Sequence, residues 1–290
     1  MAEEAQRTGP HRRDGDTSVN ALLTLHMRKL DETVERHGYE LNLSPQEYET
    51  RLWQAFERVN AAFYHHGHVL KLLLELRPAA LPDTTDLPKG VRITRGGSYT
   101  MQEERFTFEV IAFLAAIKSG ADFLAIVIGS YWSVKTDDVR QMLDAAAGRT
   151  DALAQVVELH RADLEKIQLY RNRLIHRTSL HVTVRSEAAV EGRIGRTSTL
   201  VVMASEPPAF TPFTRLDAFL AEPLDFGRDQ TMATMTDDDG KTEITDFEFS
   251  LLPPAGYVEV KSFMADHLSR FQAFLRAVIG AVGPAGFAPM

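Results

Sequence analysis

The apolar run at residues 106–132 constrains this chain most, because it is long enough to cross a bilayer yet carries Glu109, Lys118 and Asp122. Each of those charges is expensive in hydrocarbon. The run is therefore expected to be the buried central helix of a bundle and not a membrane span. Lys118 and Asp122 are four residues apart, so they can pair on one helical face. At about 100° per residue, Glu109 falls on roughly the opposite side.

The flanking sequence supplies helices to cover such a core. Residues 19–38 read as a first helix. Ser44-Pro45-Gln46-Glu47 is a capping box with proline at the first helical position, and the helix it opens runs to about residue 77, before Pro78. Residues 79–100 carry Pro, Gly and Thr and read as a long loop. A shorter helix at 137–147 ends on Gly148. Residues 151–177 read as one long amphipathic helix, with Leu153, Val156, Val157, Leu164, Ile167 and Leu174 on its apolar side.

Beyond that helix the pattern becomes β-like. Residues 181–185, 199–204, 245–251 and 257–260 have β-branched or alternating character. Gly192-Arg193-Ile194-Gly195 and Asp237-Asp238-Asp239-Gly240 read as turns, and the second lacks the ligand spacing of a calcium loop. Residues 206–223 are Pro-rich and irregular, with one helical turn expected at 216–220. An apolar-striped helix at 262–282, with Phe263, Leu268, Phe271, Phe274, Leu275 and Val278, should return to the bundle. The expected fold is mainly α. It comprises a disordered tail (1–17), a helical bundle (18–179), a β-rich insertion (180–260), a C-terminal helix packing on the bundle (261–282) and a short tail (283–290).

Composition narrows the chemistry. The chain has no cysteine, which excludes a disulfide scaffold, a thiolate nucleophile and cysteine-based zinc sites, and fits a reducing cytoplasm. The N-terminus has no apolar core, so a signal peptide or membrane anchor is not expected. A formal charge of -8 argues against a broad nucleic-acid-binding coat. Contact with RNA or a nucleotide would need a local basic patch. Residues 161–177 offer one: Arg161, Lys166, Arg171, Arg173 and Arg177 against Asp163 and Glu165.

Within that patch, Arg171, Asn172 and His176 follow one another as Arg, a polar residue and, after four residues from the arginine, His. Arginine is a permanent cation whose planar fork fits phosphate oxygens, and histidine exchanges protons near neutral pH. Cations near a helix C-terminus are favoured by the dipole alone, but Asn172 is a mediocre helix former inside the last two turns. The pattern resembles the signature of the HEPN superfamily, over about residues 106–178. Many toxins of that family carry a tyrosine two positions after the histidine, where this chain has Thr178.

The resemblance implies a HEPN-like helical bundle and a metal-independent ribonuclease without cofactor. In such an enzyme the RNA 2′-hydroxyl attacks the adjacent phosphate, leaving a 2′,3′-cyclic phosphate and a 5′-hydroxyl. It implies His176 as acid or base, Arg171 as the stabiliser of the pentacoordinate phosphate and Asn172 as the group that positions His176. Arg173 and Arg177 would hold flanking phosphates. A carboxylate on an earlier helix, Asp122 or Glu109, would support the site. The family also implies a cytoplasmic homodimer with a composite cleft, acting in defence or stress response, with an antitoxin or regulatory protein as a further partner. Two other classes remain open: a non-catalytic module that binds a nucleotide or RNA, and a helical protein-interaction scaffold.

Tyr64-His65-His66-Gly67-His68 concentrates three histidines in four positions, but no carboxylate stands nearby in sequence, so a helix surface is expected and no metal site. His160, His181 and His267 have no supporting context.

Overall fold

The computed structural model describes residues 45–76, 93–98, 100–176, 180, 182–191, 194–206 and 224–282. The expected helix at 19–38, the helical turn at 216–220, both tails, Arg177 and the side chain of His176 lie outside the described residues.

The described residues form six helices and six strands. Helix α1 (Pro45–Glu75) begins at the proline. Strand β1 (Ile93–Ser98) follows, then helix α2 (Thr100–Tyr131), α3 (Val139–Ala146), α4 (Ala152–Leu159) and α5 (Arg161–His176). Strands β2 (Val182–Glu191), β3 (Ile194–Ala204), β4 (Gly227–Thr236), β5 (Thr242–Leu252) and β6 (Tyr257–Glu259) lead into helix α6 (Val260–Ala281). The fold is mainly helical, as the periodicity predicts.

Helix α2 is the centre. Val110, Phe113, Leu114, Ile117, Leu124 and Ile128 are each at most 1% exposed, and α1, α3, α5 and α6 all pack against the helix. Burying one such side chain contributes about 2 kcal/mol. Among the described residues α2 is the one helix long and apolar enough to cross a membrane, and 56% of its most apolar window is buried inside the fold. It is a core helix, as its charged residues predict.

Local chemistry explains where the helices stop. After α2 the chain reverses through Ser133, whose φ of 54° is left-handed, and Val134 N–H donates to Gly129 O at 2.9 Å. A Cβ on Gly129 would overlap the Thr136 hydroxyl, which donates to Ala125 O, so this return needs glycine. Asp138 caps α3 by accepting from Gln141 N–H at 2.9 Å, and Asp151 caps α4 by accepting from Ala154 N–H at 2.9 Å. The single helix expected over 151–177 is two. His160 ends α4 at φ −101°, ψ 2°, and its ring packs 5.3 Å from Phe274 of α6. A tertiary contact, not glycine or proline, accompanies this bend.

The strands differ from expectation in three places. β2 and β3 are longer than the alternating stretches alone predict, and Ile194 and Gly195 of the expected turn are strand, pairing with Glu191 and Val190. Part of the expected loop at 79–100 is β1, which pairs antiparallel with β2 from Ile93↔Val190 to Ser98↔Arg185. The exposed strand β4 pairs with β5 in a hairpin closed by the turn after Asp237. The sheet order is β1-β2-β3-β6, with β4-β5 as a second layer.

One face of the four-stranded sheet, through Val182, Val184, Val201 and Met203, belongs to the same apolar core as the helices. The other face, through Ala189, Leu200 and Val202, packs on Phe247, Phe249 and Leu251 of the hairpin. The strands thus include one that precedes α2, and they form a layer against the bundle. Helix α6 returns to that bundle and buries Phe263, Leu268, Phe271 and Phe274.

Candidate functional site

Helices α1 and α2 run antiparallel, with Arg58 beside Gly120 at one level and His65 beside Glu109 at another. A Cβ on Gly120 would lie 2.9 Å from the Phe271 ring and 3.1 Å from Arg58 Cβ. Glycine therefore permits α1 and α6 to close on α2 here. Further along, Ala61 of α1 faces Ala112, Ala115, Ala116 and Ser119 of α2 around a cleft of about 470 Å³. These side chains are too small to fill the space, and the volume is in the range of a small-molecule site.

The charged lining comes from three helices: Arg58 and His65 of α1, Lys118 and Asp122 of α2, and Arg171 of α5. Arg171 is aimed by its neighbour. Tyr170 is fully buried, and its hydroxyl donates to Ala204 O of β3 at 2.9 Å. One residue further, about 100° around the helix, Arg171 leaves the core. Its Nη1 donates to Asn172 Oδ1 at 3.4 Å, and Asn172 is exposed. Arg173 is partly exposed on the same helix.

Lys118 and Asp122 pair as their spacing predicts: Nζ lies 2.7 Å from Oδ1 and 2.5 Å from Oδ2. Asp122 Oδ1 also accepts from Val139 N–H at 3.1 Å, at the start of α3. Burial pushes the Asp122 carboxyl above the usual carboxylate range, with Lys118 and the Val139 N–H opposing that shift in part. Of the two candidate carboxylates, Asp122 is the one that lines the cleft beside Arg171.

Glu109 is occupied elsewhere. Its Oε2 lies 2.7 Å from His65 Nδ1 and its Oε1 lies 3.2 Å from His68 Nδ1. Both imidazoles thus meet one carboxylate through Nδ1, so Glu109 ties two histidines of α1 to α2. The His65 ring also lines the cleft. The Tyr64 ring packs on His68 at 4.1 Å between centroids. His66 is different: its Nε2 is buried without a partner among the described residues, and burial pushes its pKa down. Among the described residues no group of three His, Asp or Glu side chains is disposed to hold a metal ion.

Sequence spacing brought out Arg171, Asn172, Lys118 and Asp122 but not Arg58 or the His65–Glu109 pair. The helix–helix contact was signalled faintly by Ala112, Ala116 and Ser119, a stripe of small residues at helical spacing that lets two backbones approach. Comparison with protein-family models, with curated proteins and with solved structures found no match to this chain.

Proposed function

We propose that this protein is a HEPN-type endoribonuclease that cleaves RNA by attack of the 2′-hydroxyl on the adjacent phosphate. Arg171 stabilises the charge of the pentacoordinate phosphate, His176 transfers protons, Asn172 positions His176, and Arg173 and Arg177 hold flanking phosphates. Asp122 is the supporting carboxylate. The protein works as a cytoplasmic homodimer on RNA, in defence or stress response, and cleavage needs no metal.

The observation that carries this reading is the company Arg171 keeps. In a chain of net charge -8, its side chain shares a cleft with Arg58, His65 and the Lys118–Asp122 ion pair, so the guanidiniums of Arg58 and Arg171 leave the lining with an excess of positive charge. That is a local cationic pocket, of the kind an acidic protein needs if it is to hold a phosphate. The test is cleavage of RNA by the purified protein in EDTA, with His176→Ala prepared in parallel. Cleavage by the wild type alone, leaving cyclic-phosphate ends, supports the enzyme; equal activity of the two preparations rejects it.

The same cationic pocket also favours a second reading, a non-catalytic module that binds a nucleotide or RNA. It predicts binding that survives His176→Ala and no cleavage by either protein.

A further inference from the structure

We propose that the outer edge of β4 pairs antiparallel with the same edge of a second copy of this chain, joining two β4–β5 hairpins into one continuous sheet. The proposal is independent of the chemistry at the Arg171 cleft, with which the hairpin shares no residue. The hairpin outgrows the layer it belongs to. Phe247, Phe249 and Leu251 of β5 are buried against the main sheet, whereas residues 231–236 of β4 are exposed on both faces. A two-stranded ribbon with both faces in water is marginal by itself.

The two edges of the hairpin differ. Side chains occupy the edge of β5: Arg196 Nε donates to Phe247 O at 3.2 Å, Leu251 N–H to Ser198 Oγ at 2.9 Å, and Phe247 N–H to Asp246 Oδ1 at 2.9 Å. Glu243, Asp246 and Glu248 add charge to that strand. On β4, Asp237 N–H donates to Lys241 O, which fixes the alternation. Gln230, Met232, Thr234 and Thr236 therefore turn their N–H and C=O groups away from β5. Among the described residues none of these backbone groups meets a partner. From Gln230 to Thr236 the strand carries no charge and no proline, the devices that blunt an exposed edge.

Charge favours a second copy as the occupant. The hairpin tip is acidic, with Asp237, Asp238 and Asp239, while its base holds Arg185 and Arg228 around the one carboxylate of Glu187. Antiparallel pairing lays each tip beside the other copy's base. A two-fold axis at Met232 sets Met232 against Met232 of the second copy, Gln230 against Thr234, and Arg228 against Thr236, next to Asp237. Moving the axis to Ala233 would set Asp229 against Asp237, like charges directly opposed. Because the edge of β5 is already occupied, the assembly closes at two copies.

The test uses the full chain. Sedimentation velocity should show a dimer for the wild type. Met232→Lys places two ammonium groups at the axis, and Met232→Pro removes an outward N–H without touching the ladder to β5. Each should raise the dimer Kd by about tenfold or more while circular dichroism stays that of the wild type. The chain has no cysteine, so Met232→Cys supplies one thiol per copy. Mild oxidation should convert that variant to a disulfide-linked dimer. Asp239→Cys should not cross-link, since the two tips lie at opposite ends of the joined sheet. This comparison decides the matter alone if Met232→Lys and Met232→Pro fail to fold. A monomeric wild type would leave the edge to an extended segment of another protein and overturns the proposal. A dimer whose Kd neither substitution moves, or equal cross-linking through Asp239→Cys, overturns it too.

Discussion

Glu187 of β2 and Arg228 of β4 are joined by two hydrogen bonds, Nε to Oε2 at 2.9 Å and Nη2 to Oε1 at 3.0 Å, that tie the hairpin layer to the main sheet. Arg185 donates to the same carboxylate from Nη2 at 2.9 Å. Glu187 is 1% exposed while both arginines reach solvent. Burial by itself pushes this carboxyl up, and the two guanidiniums overcome that push and hold it below the usual carboxylate range. Its contribution is therefore present above the unfolded value of about 4.3 and is lost as pH falls through the lowered folded value. Glu187→Gln should cost about 2 kcal/mol at pH 7, since two partly buried cations lose their partner. Urea unfolding at pH 7 and again at pH 3 decides the point. The deficit should shrink at the lower pH, and an equal deficit at both would remove the electrostatic account.

Much of the helical frame was legible because its signals are local. Proline marks the start of α1, Gly148 follows the end of α3 at a φ of 78°, and the periodic apolar positions give α2 and α6. What escaped depends on partners far along the chain. β1 contains Arg95-Gly96-Gly97 and is a strand because β2 lies beside it. β4 is solvent-exposed along nearly its whole length, so no alternation betrays it. The bend at His160 accompanies packing on Phe274. In the site, Lys118 and Asp122 were visible as an i, i+4 pair. His65 and Glu109 stand 44 residues apart on antiparallel helices, and no sequence spacing joins them.

His267 should make the fold acid-sensitive. It is buried on α6 against Phe263, with ring centroids 4.3 Å apart. Burial, reinforced by Lys166 and Arg270 and opposed by Asp163 and Asp266, lowers its pKa to about 4. An unfolded histidine titrates near about 6.5. Between those values the unfolded chain binds a proton that the folded chain does not, so stability falls as pH drops, by up to about 3 kcal/mol. His267→Leu should flatten this dependence between pH 7 and 4.5 in urea titrations. An unchanged slope in the variant would assign the acid sensitivity to other groups.

Tyr170 links the fold to the site. Its hydroxyl bond to Ala204 O, 2.9 Å long, pins α5 to β3, where Ala204 pairs with Tyr257 of β6. Burial, with the charge of Glu206, raises the phenol pKa above its ordinary value, so the hydroxyl stays a donor at physiological pH. Tyr170→Phe should cost about 1 kcal/mol in unfolding free energy. On the ribonuclease reading it should also lower RNA cleavage several-fold, because Arg171 is the next residue on the helix. A variant with lost stability and wild-type cleavage would show that α5 is held in register by its apolar side chains alone.

Asp122 sets how much positive charge the cleft presents. Its carboxylate neutralises Lys118 and accepts the Val139 N–H that opens α3. Asp122→Asn keeps an acceptor for Val139 but releases the charge of Lys118 toward a phosphate. At low salt RNA should therefore bind a few-fold tighter, an advantage that fades as salt screens it. On the ribonuclease reading, cleavage should fall at the same time, since the proposed supporting carboxylate is gone. Asp122→Ala loses the helix-start bond as well and should cost about 1 kcal/mol of stability. Because burial raises the Asp122 pKa, the wild type should approach the asparagine variant's affinity as pH is lowered, while that variant lacks this component of the change. Fluorescence anisotropy with labelled RNA across salt and pH measures the affinities, gel-resolved RNA cleavage the activity and urea unfolding the stability. Weaker binding by Asp122→Asn would mean that Lys118 does not face the ligand and that the phosphate is held by Arg58 and Arg171.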